Sequence, residues 1–284
     1  MILSIITINR NNSIGLQKTM ESVLSQTFAD FEYVVVDGAS TDGSIDVIRR
    51  YENQFGRRLL WVSEPDSGIY NAMNKGIGMA SGRYIQILNS GDCLADSGVL
   101  EAMVHALNHK GAPAILYGNM VKLFPDGRRV CDKCFEGQEI TMLGMYSGTL
   151  NHDPALVRRD LFNNYGLYDE SLKICSDWAW YLKAIVIGGE DPVYVDRDVT
   201  VFDMSGISED ERHRELISQE RRQVLEKILP GKILSDYDKY SQDIYMMRRI
   251  RRHKFSYASV HFIERVLFKL EKARNSKKKV QRWG

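Results

Sequence analysis

Residues 83–94 read RYIQILNSGDCL. Tyr84 to Leu88 is an apolar run with the length and residue types of a buried strand. It passes directly into Asn89, Ser90, Gly91 and Asp92, four residues that cannot pack a core. A buried strand that hands a carboxylate to a glycine-loosened turn at its carboxyl end points to a parallel α/β sheet. In such sheets ligands sit outside the carboxyl ends of the strands.

The same pattern recurs upstream. "ILSIITI" is an apolar first strand and "FEYVVVDG" a second, with "LLWVSEP" a third. Between them lie segments with apolar residues at helical spacing. "SIGLQKTMESVLSQ" carries Ile14, Leu16, Met20, Val23 and Leu24, and Ser40-Thr41-Asp42-Gly43 starts a helix over "SIDVIRRYENQF". "IYNAMNKGIGMA" is a third helix. Repeated βα units predict a mostly parallel sheet covered by helices on both faces. Each strand ends in polar residues: Thr7 to Asn9, Asp37-Gly38, Glu64 to Asp66, and Asn89 to Asp92. One edge of one sheet therefore gathers Asp37, Asp66 and Asp92, with Asn9 and Asn89 beside them.

From 101 to 205 the pattern is mixed. "VLEAMVHALNH" is helical, and "AILYGNMVKLF" and "RRVCDKCF" form a hairpin about Pro125-Asp126-Gly127. "SDWAWYLKAIVIGG" is a helix ended by Gly188-Gly189, and "VYVDRDVTVFDM" reads as a late strand pair. Beyond Gly206 the chain becomes charged and helical. The expected division is a body over 1–205, with a strand-end half at 1–100 and a second half at 101–205, and a basic helical extension over 206–284.

Charge follows that division. Residues 245–284 hold 13 Lys/Arg against 2 Asp/Glu, while residues 1–244 hold 25 against 35. An acidic body with a basic tail suits an anionic surface as partner. The tail mixes Met246, Ile250, Val260, Ile263, Val266, Leu267 and Leu270 with clustered Arg and Lys. That composition fits a helix on an anionic bilayer, and equally a helix packed on the body with its charges in solvent. Nucleic acid is not expected, since no aromatic-basic recognition pattern accompanies the charge. Met1 to Ile8 lacks a basic start and a cleavage site, and no window approaches the ~20 apolar residues of a membrane span. A cytoplasmic protein, or one peripheral on the inner face of the membrane, is the expectation. Cys131-Asp-Lys-Cys134 lacks the second pair of a four-ligand zinc site, so the four cysteines are read as reduced thiols. Neither a P-loop nor a G-x-G-x-x-G after a strand is present, which excludes those two modes of phosphate binding.

Taken together, "SIITINRN…GLQKTMESVLSQTFADFEYVVVDGASTDGS" and "EPDSGIYNAMNKGIGMASGRYIQILNSGDCL" strongly resemble the family 2 glycosyltransferases. The resemblance is dense over 1–100, thinner to 205 and absent in the tail. It implies a GT-A fold and an inverting transfer from a nucleotide-diphospho-sugar, UDP by frequency, to a glycan or lipid-linked acceptor in surface-polysaccharide synthesis. It places Thr7, Asn9 and Arg10 against base and ribose, Asp37 on a ring N–H and Asp66 on the nucleotide. Asn74, Asn89 and Ser90 join the donor-binding set. The family's Asp-x-Asp metal motif is reduced here to Asp92, with Asn89 or Ser90 at the earlier acidic position. Asp92, with His152, would then hold Mn²⁺ or Mg²⁺ against the diphosphate. His152 stands where "His-Gln" is common in the family. Asp177, at the start of the helix in "KICSDWAWYLKA", matches the acidic motif that supplies the general base. Asp169 and Glu170 are the rival carboxylates, and Trp178, Trp180 and Tyr181 either stack an acceptor sugar or fill the core. Two other readings compete: a sugar-nucleotidyl transferase, which would normally show an N-terminal glycine-rich phosphate loop, and a non-catalytic nucleotide-sugar binding module.

Overall fold

The computed structural model describes residues 2–204, 214–251 and 254–280. The described chain forms two compact units, residues 1–228 and 229–284.

The first unit opens as the periodicity demands. Strands β1 (Leu3–Asn9), β2 (Phe31–Asp37) and β3 (Leu59–Ser63) alternate with helices α1 (Ser13–Leu24), α2 (Ser44–Phe55) and α3 (Ile69–Met79), followed by β4 (Tyr84–Ile87). All seven residues of β1 and of β2 are buried, the mark of strands covered on both faces. α1 is capped by Asn12, whose side chain accepts from Gly15 N, and it buries Leu16, Met20 and Val23 at helical spacing. These join Leu3, Ile5, Tyr33, Val35, Ile48 and Tyr84 in the main core.

A two-residue strand β5 (Cys93–Leu94) and helix α4 (Val99–His109) follow. Strands β6 (Ile115–Leu123) and β7 (Arg129–Asp132) pair antiparallel, as the Pro-Asp-Gly turn requires. Then come α5 (Met142–Ser147), β8 (Ala155–Arg158), α6 (Asp160–Tyr165) and α7 (Ser176–Tyr181), which continues as π-type turns over Leu182–Ile187. The unit closes with β9 (Val193–Asp203) and α8 (Arg214–Ile228).

Among the described residues the strands form one sheet in the order β3-β2-β1-β4-β8-β6-β9-β5, with β7 on β6. β1 pairs parallel with both β2 and β4. The chain thus leaves β1 towards β2 and β3, then returns to the other side of β1 for β4. That reversal opens a crevice at the carboxyl ends of β1 and β4, where Asn9 and Asn89 lie.

Two expectations are corrected. "VYVDRDVTVFDM" is one strand, not two. Tyr117 and Asn119 of β6 pair with Tyr194 and Asp198 of β9, so β9 carries extra residues and bulges at Asp196-Arg197, which read as a turn in the sequence. The first unit also ends at Ile228, not at 205, because α8 inserts Glu220, Val224 and Leu225 into it.

The second unit holds α9 (Gly231–Arg251) and α10 (Lys254–Val280). On α10, Phe262, Ile263, Val266, Leu267, Phe268 and Leu270 are exposed beside Arg265 and Lys269. No helix among the described residues is long and apolar enough to cross a membrane. All four cysteines are free thiols.

Candidate active site

One end of the crevice lies at the carboxyl ends of β1, β2 and β3. There Asp37 is completely buried. Its Oδ1 accepts from Asn9 Nδ2 (2.8 Å) and Ser40 Oγ (2.6 Å), and its Oδ2 from Ser40 N (2.9 Å) and Ser63 Oγ (2.7 Å). A carboxylate has about four acceptor sites, and all are in use. Asp37 therefore knots the β1, β2 and β3 ends together and has nothing left for a ring N–H, a correction of its expected role. Asn9 Nδ2 joins the same knot, while its Oδ1 is buried without a hydrogen-bond partner.

Asp66 takes the place over the knot. A Cβ built on Gly38 would lie 2.3 Å from Asp66 Oδ2, so only glycine at 38 lets this carboxylate settle on the backbone. Asp66 accepts from Gly68 N (3.2 Å), and Arg10 Nη1 stands 4.0 Å from its Oδ1 with the Arg10 side chain 65% exposed. Arg10 is thus the exposed charge at this end, with the Asp66 side chain only 6% exposed beside it.

Thr7 and Asn74 serve the fold. Thr7 Oγ1 donates to Leu88 O (2.8 Å) and accepts from Tyr33 (3.0 Å), with no exposed surface. Asn74 donates to Tyr168 O and Glu170 Oε1 (2.9 Å each) and accepts from Tyr168 N (3.0 Å), which clamps residues 168–170 to α3. Neither side chain is free to reach a donor, because its polar atoms are already satisfied inside the protein.

The opposite end is the turn after β4. Gly91 adopts φ +111°, and its N–H donates to Thr19 Oγ1 (2.9 Å), while Thr19 donates to Asp92 O (2.7 Å). Asn12 Nδ2 holds Ser90 O (2.9 Å) and lies 3.3 Å from Ser90 Oγ. With the turn fastened to α1, the Asp92 side chain runs beneath it. Asp92 is 5% exposed and accepts from Asp203 N (3.0 Å). Its carboxyl is also hydrogen-bonded to that of Asp153, itself 2% exposed. Burial first, and the Asp153 charge second, push Asp92 well above the carboxylate range, and burial likewise raises Asp153.

His152 links this turn to the second half. Its Nδ1 lies 3.0 Å from Asp177 Oδ2, and its Nε2 faces Asn89 Nδ2 at 3.2 Å. Asp153 Oδ1 is 3.5 Å from Nε2 but poorly aligned, and it has no hydrogen-bond partner. Asn89 Oδ1 is likewise buried without one. Amide O and N are assigned from the network. Turning the Asn89 amide puts Oδ1 on Nε2, satisfies the orphan and makes both ring nitrogens donors. Burial opposes charge on the ring, but Asp153 and Asp177 outweigh it and push the His152 pKa up to about 9.

Asp177 sits in the first turn of α7 and is 17% exposed at its side chain. The Tyr70 hydroxyl lies 3.0 Å from its Oδ1 and 2.5 Å from Ile174 O. Burial alone would raise the Asp177 pKa. The hydrogen bond and charge of His152, with the Trp178 N–H and Tyr70, hold it below the usual range. Asp169 and Glu170 are tied locally: Asp169 accepts from Ser171 N and Oγ, and Glu170 from Asn71 and Asn74. Trp178, Trp180 and Tyr181 are at most 3% exposed, so they fill the core. Trp180 stacks on Phe162 with centroids 4.7 Å apart.

Asn89, Ser90 and Gly91 present no carboxylate, Asp92 is 5% exposed and accepts from Asp203 N, and His152 lies between Asp177 and Asn89. Among the described residues, no three of His, Cys, Asp or Glu are arranged to hold a metal ion. The sequence reading passed over Asp153 and Tyr70. Asp153 was adjacent to His152 in "NHDP"; Tyr70 meets Asp177 across 107 positions, a distance no local pattern reveals.

The parallel strands and their strand-end crevice define an α/β class that binds its ligand outside the carboxyl ends of the strands. The family model for glycosyl transferase family 2 matches residues 4–166, and the chain belongs to that family. A PGL/p-HBAD biosynthesis glycosyltransferase of Mycobacterium bovis is 26% identical over 182 residues, covering 64% of this chain and 69% of that protein. The uncharacterized glycosyltransferase Rv1514c of Mycobacterium tuberculosis is 31% identical over 217 residues, 75% and 78% respectively. S. aureus TarS 1-349, solved with UDP-GlcNAc, superposes with TM-score 0.63 at 21% identity, covering 82% of this chain and 69% of that one. The mannosyltransferase PcManGT of Pyrobaculum calidifontis, solved with GDP-Man and Mn²⁺, gives 0.60 at 17%, covering 79% and 63%. The two structures share the GT-A fold. The chain is a glycosyltransferase, which sets aside the nucleotidyl-transferase and non-catalytic readings.

Proposed function

We propose that this enzyme moves a sugar from a UDP-sugar to a hydroxyl of a glycan or lipid-linked acceptor in cell-surface polysaccharide synthesis, with inversion. One observation carries the reading: a continuous chain of contacts runs from Asn89 through His152 to Asp177 and Tyr70. It ties the strand-end turn of the first half to the carboxylate of the second. A donor with its nucleoside at Asp66 and Arg10 and its diphosphate along Asn89 and Ser90 would bring its anomeric carbon towards Asp177.

The step then balances simply. The acceptor oxygen bonds to the anomeric carbon as its proton passes to the Asp177 carboxylate. The bond from that carbon to the β-phosphate oxygen breaks, and its electron pair leaves with UDP. A positioned carboxylate is a sufficient base for such a step. Asp177 stays ionised, and His152 and Tyr70 fix its direction.

A lipid-linked acceptor is supported by α10, whose exposed apolar residues, lysines and arginines suit an anionic bilayer at the inner membrane face. Slow hydrolysis of UDP-sugars without acceptor tests the reading. The purified chain should release UDP from at least one common UDP-hexose or UDP-N-acetylhexosamine. No release from any of them, together with no binding, contradicts it.

A further inference from the structure

We propose that Arg221 binds an anionic group of the acceptor, a phosphate or a carboxylate, beside the helix turn that carries Asp177. The inference rests on reading Asp177 as the base and goes beyond it, since it names the chemical class of the acceptor. Three observations carry it. Arg221 lies in α8 with its guanidinium carbon 4.8 Å from the centre of the Trp178 ring, one residue past Asp177. It is partly buried, and its Nε is enclosed without a hydrogen-bond partner. No carboxylate pairs with it among the described residues. Glu220 gives its oxygens to Lys173 N, Ile174 N and Cys175 N, Glu226 pairs with Arg222, and Asp177 is held by His152 and Tyr70.

A charge taken partly out of water needs a partner, and an aromatic face replaces only part of what a counter-ion provides. The planar fork of an arginine suits phosphate and carboxylate oxygens. Cys175 lies close enough to Arg221 and to Asp177 to feel both charges. Burial raises its thiol, Arg221 opposes the rise, and Glu220 and Asp177 add to it. An anionic acceptor approaching the Asp177 carboxylate by itself would be repelled. With Arg221 on its charge, its hydroxyl reaches the base without that repulsion.

Titration calorimetry of the full chain in saturating UDP tests this with three soluble probes: glucose 1-phosphate, glucuronate and methyl glucoside. Saturating UDP keeps the probes out of the donor site. At least one of the two anions should bind about tenfold more tightly than the neutral glucoside. The favoured anion names the group, phosphate or carboxylate. Arg221→Gln, which keeps a planar polar end over Trp178, should remove that preference and leave the UDP dissociation constant unchanged. Arg221→Lys, which keeps the charge, should restore part of it, a result that a merely structural contact with Trp178 would not give. The absence of any anion preference in the wild type overturns the inference, as does a preference that survives in Arg221→Gln. UDP binding that is intact in either case leaves the donor reading standing. No binding of UDP under any condition overturns the donor reading itself and the inference with it.

Discussion

Asp177→Asn is expected to lose turnover by about 10³-fold, the scale of a positioned general base, while binding UDP as the wild type does. Asparagine keeps the size of the side chain and an oxygen to accept from His152, at 3.0 Å in the native protein. It cannot take up the acceptor proton. The loss should therefore fall on kcat, with little change in the dissociation constant of the donor. Steady-state kinetics beside a UDP titration separate the two. Substantial transfer by the variant moves the base elsewhere. A matching loss of UDP binding makes Asp177 a structural residue.

The second large effect is on stability, at a residue outside the crevice. Glu220 is 6% exposed, and its oxygens accept from three consecutive backbone N–H groups, Lys173 (2.7 Å), Ile174 (3.0 Å) and Cys175 (3.0 Å). Those residues lead directly into α7, so Glu220 holds the start of the helix that carries Asp177. Arg221, the next residue, stacks 4.8 Å over Trp178. Glu220→Ala strands three backbone donors, one buried and two partly buried, a cost of about 3 kcal/mol from the penalty for unmet hydrogen bonds. For a unit of this size that corresponds to a melting temperature lower by roughly 10 °C. Turnover should fall further than UDP affinity, because the segment that loosens holds the base and not the donor. Differential scanning fluorimetry of Glu220→Ala checks it. An unchanged melting temperature means that α8 does not brace this segment.

The sheet was legible in the sequence because its signals are local. Four apolar strands ending in polar residues, separated by helical periodicity, fix a parallel sheet, and the hairpin at Pro125 to Gly127 follows from turn chemistry. Asp177 was found by family position and lies in the crevice, hydrogen-bonded to His152 and Tyr70. The misreadings share a cause: residue type and strand-end address do not reveal where a side chain's polar atoms go. Asp37 and Asn74 stand at the expected positions, yet each is held by partners distant in sequence. Asp37 is bound by Asn9 and Ser63, and Asn74 by Tyr168. The β9 bulge was missed because three charged residues in a row imitate a turn. The end of the first unit was missed because charge, which set the expected boundary, is unrelated to the buried contacts of Glu220.

The most direct test is an experimental structure of the full chain soaked with a UDP-sugar. The base should lie beside Asp66 and Arg10, the diphosphate should run along Asn89 and Ser90, and the anomeric carbon should come within reach of the Asp177 carboxylate. A nucleotide bound away from the carboxyl ends of β1 and β4, or a sugar directed away from Asp177, would contradict the account.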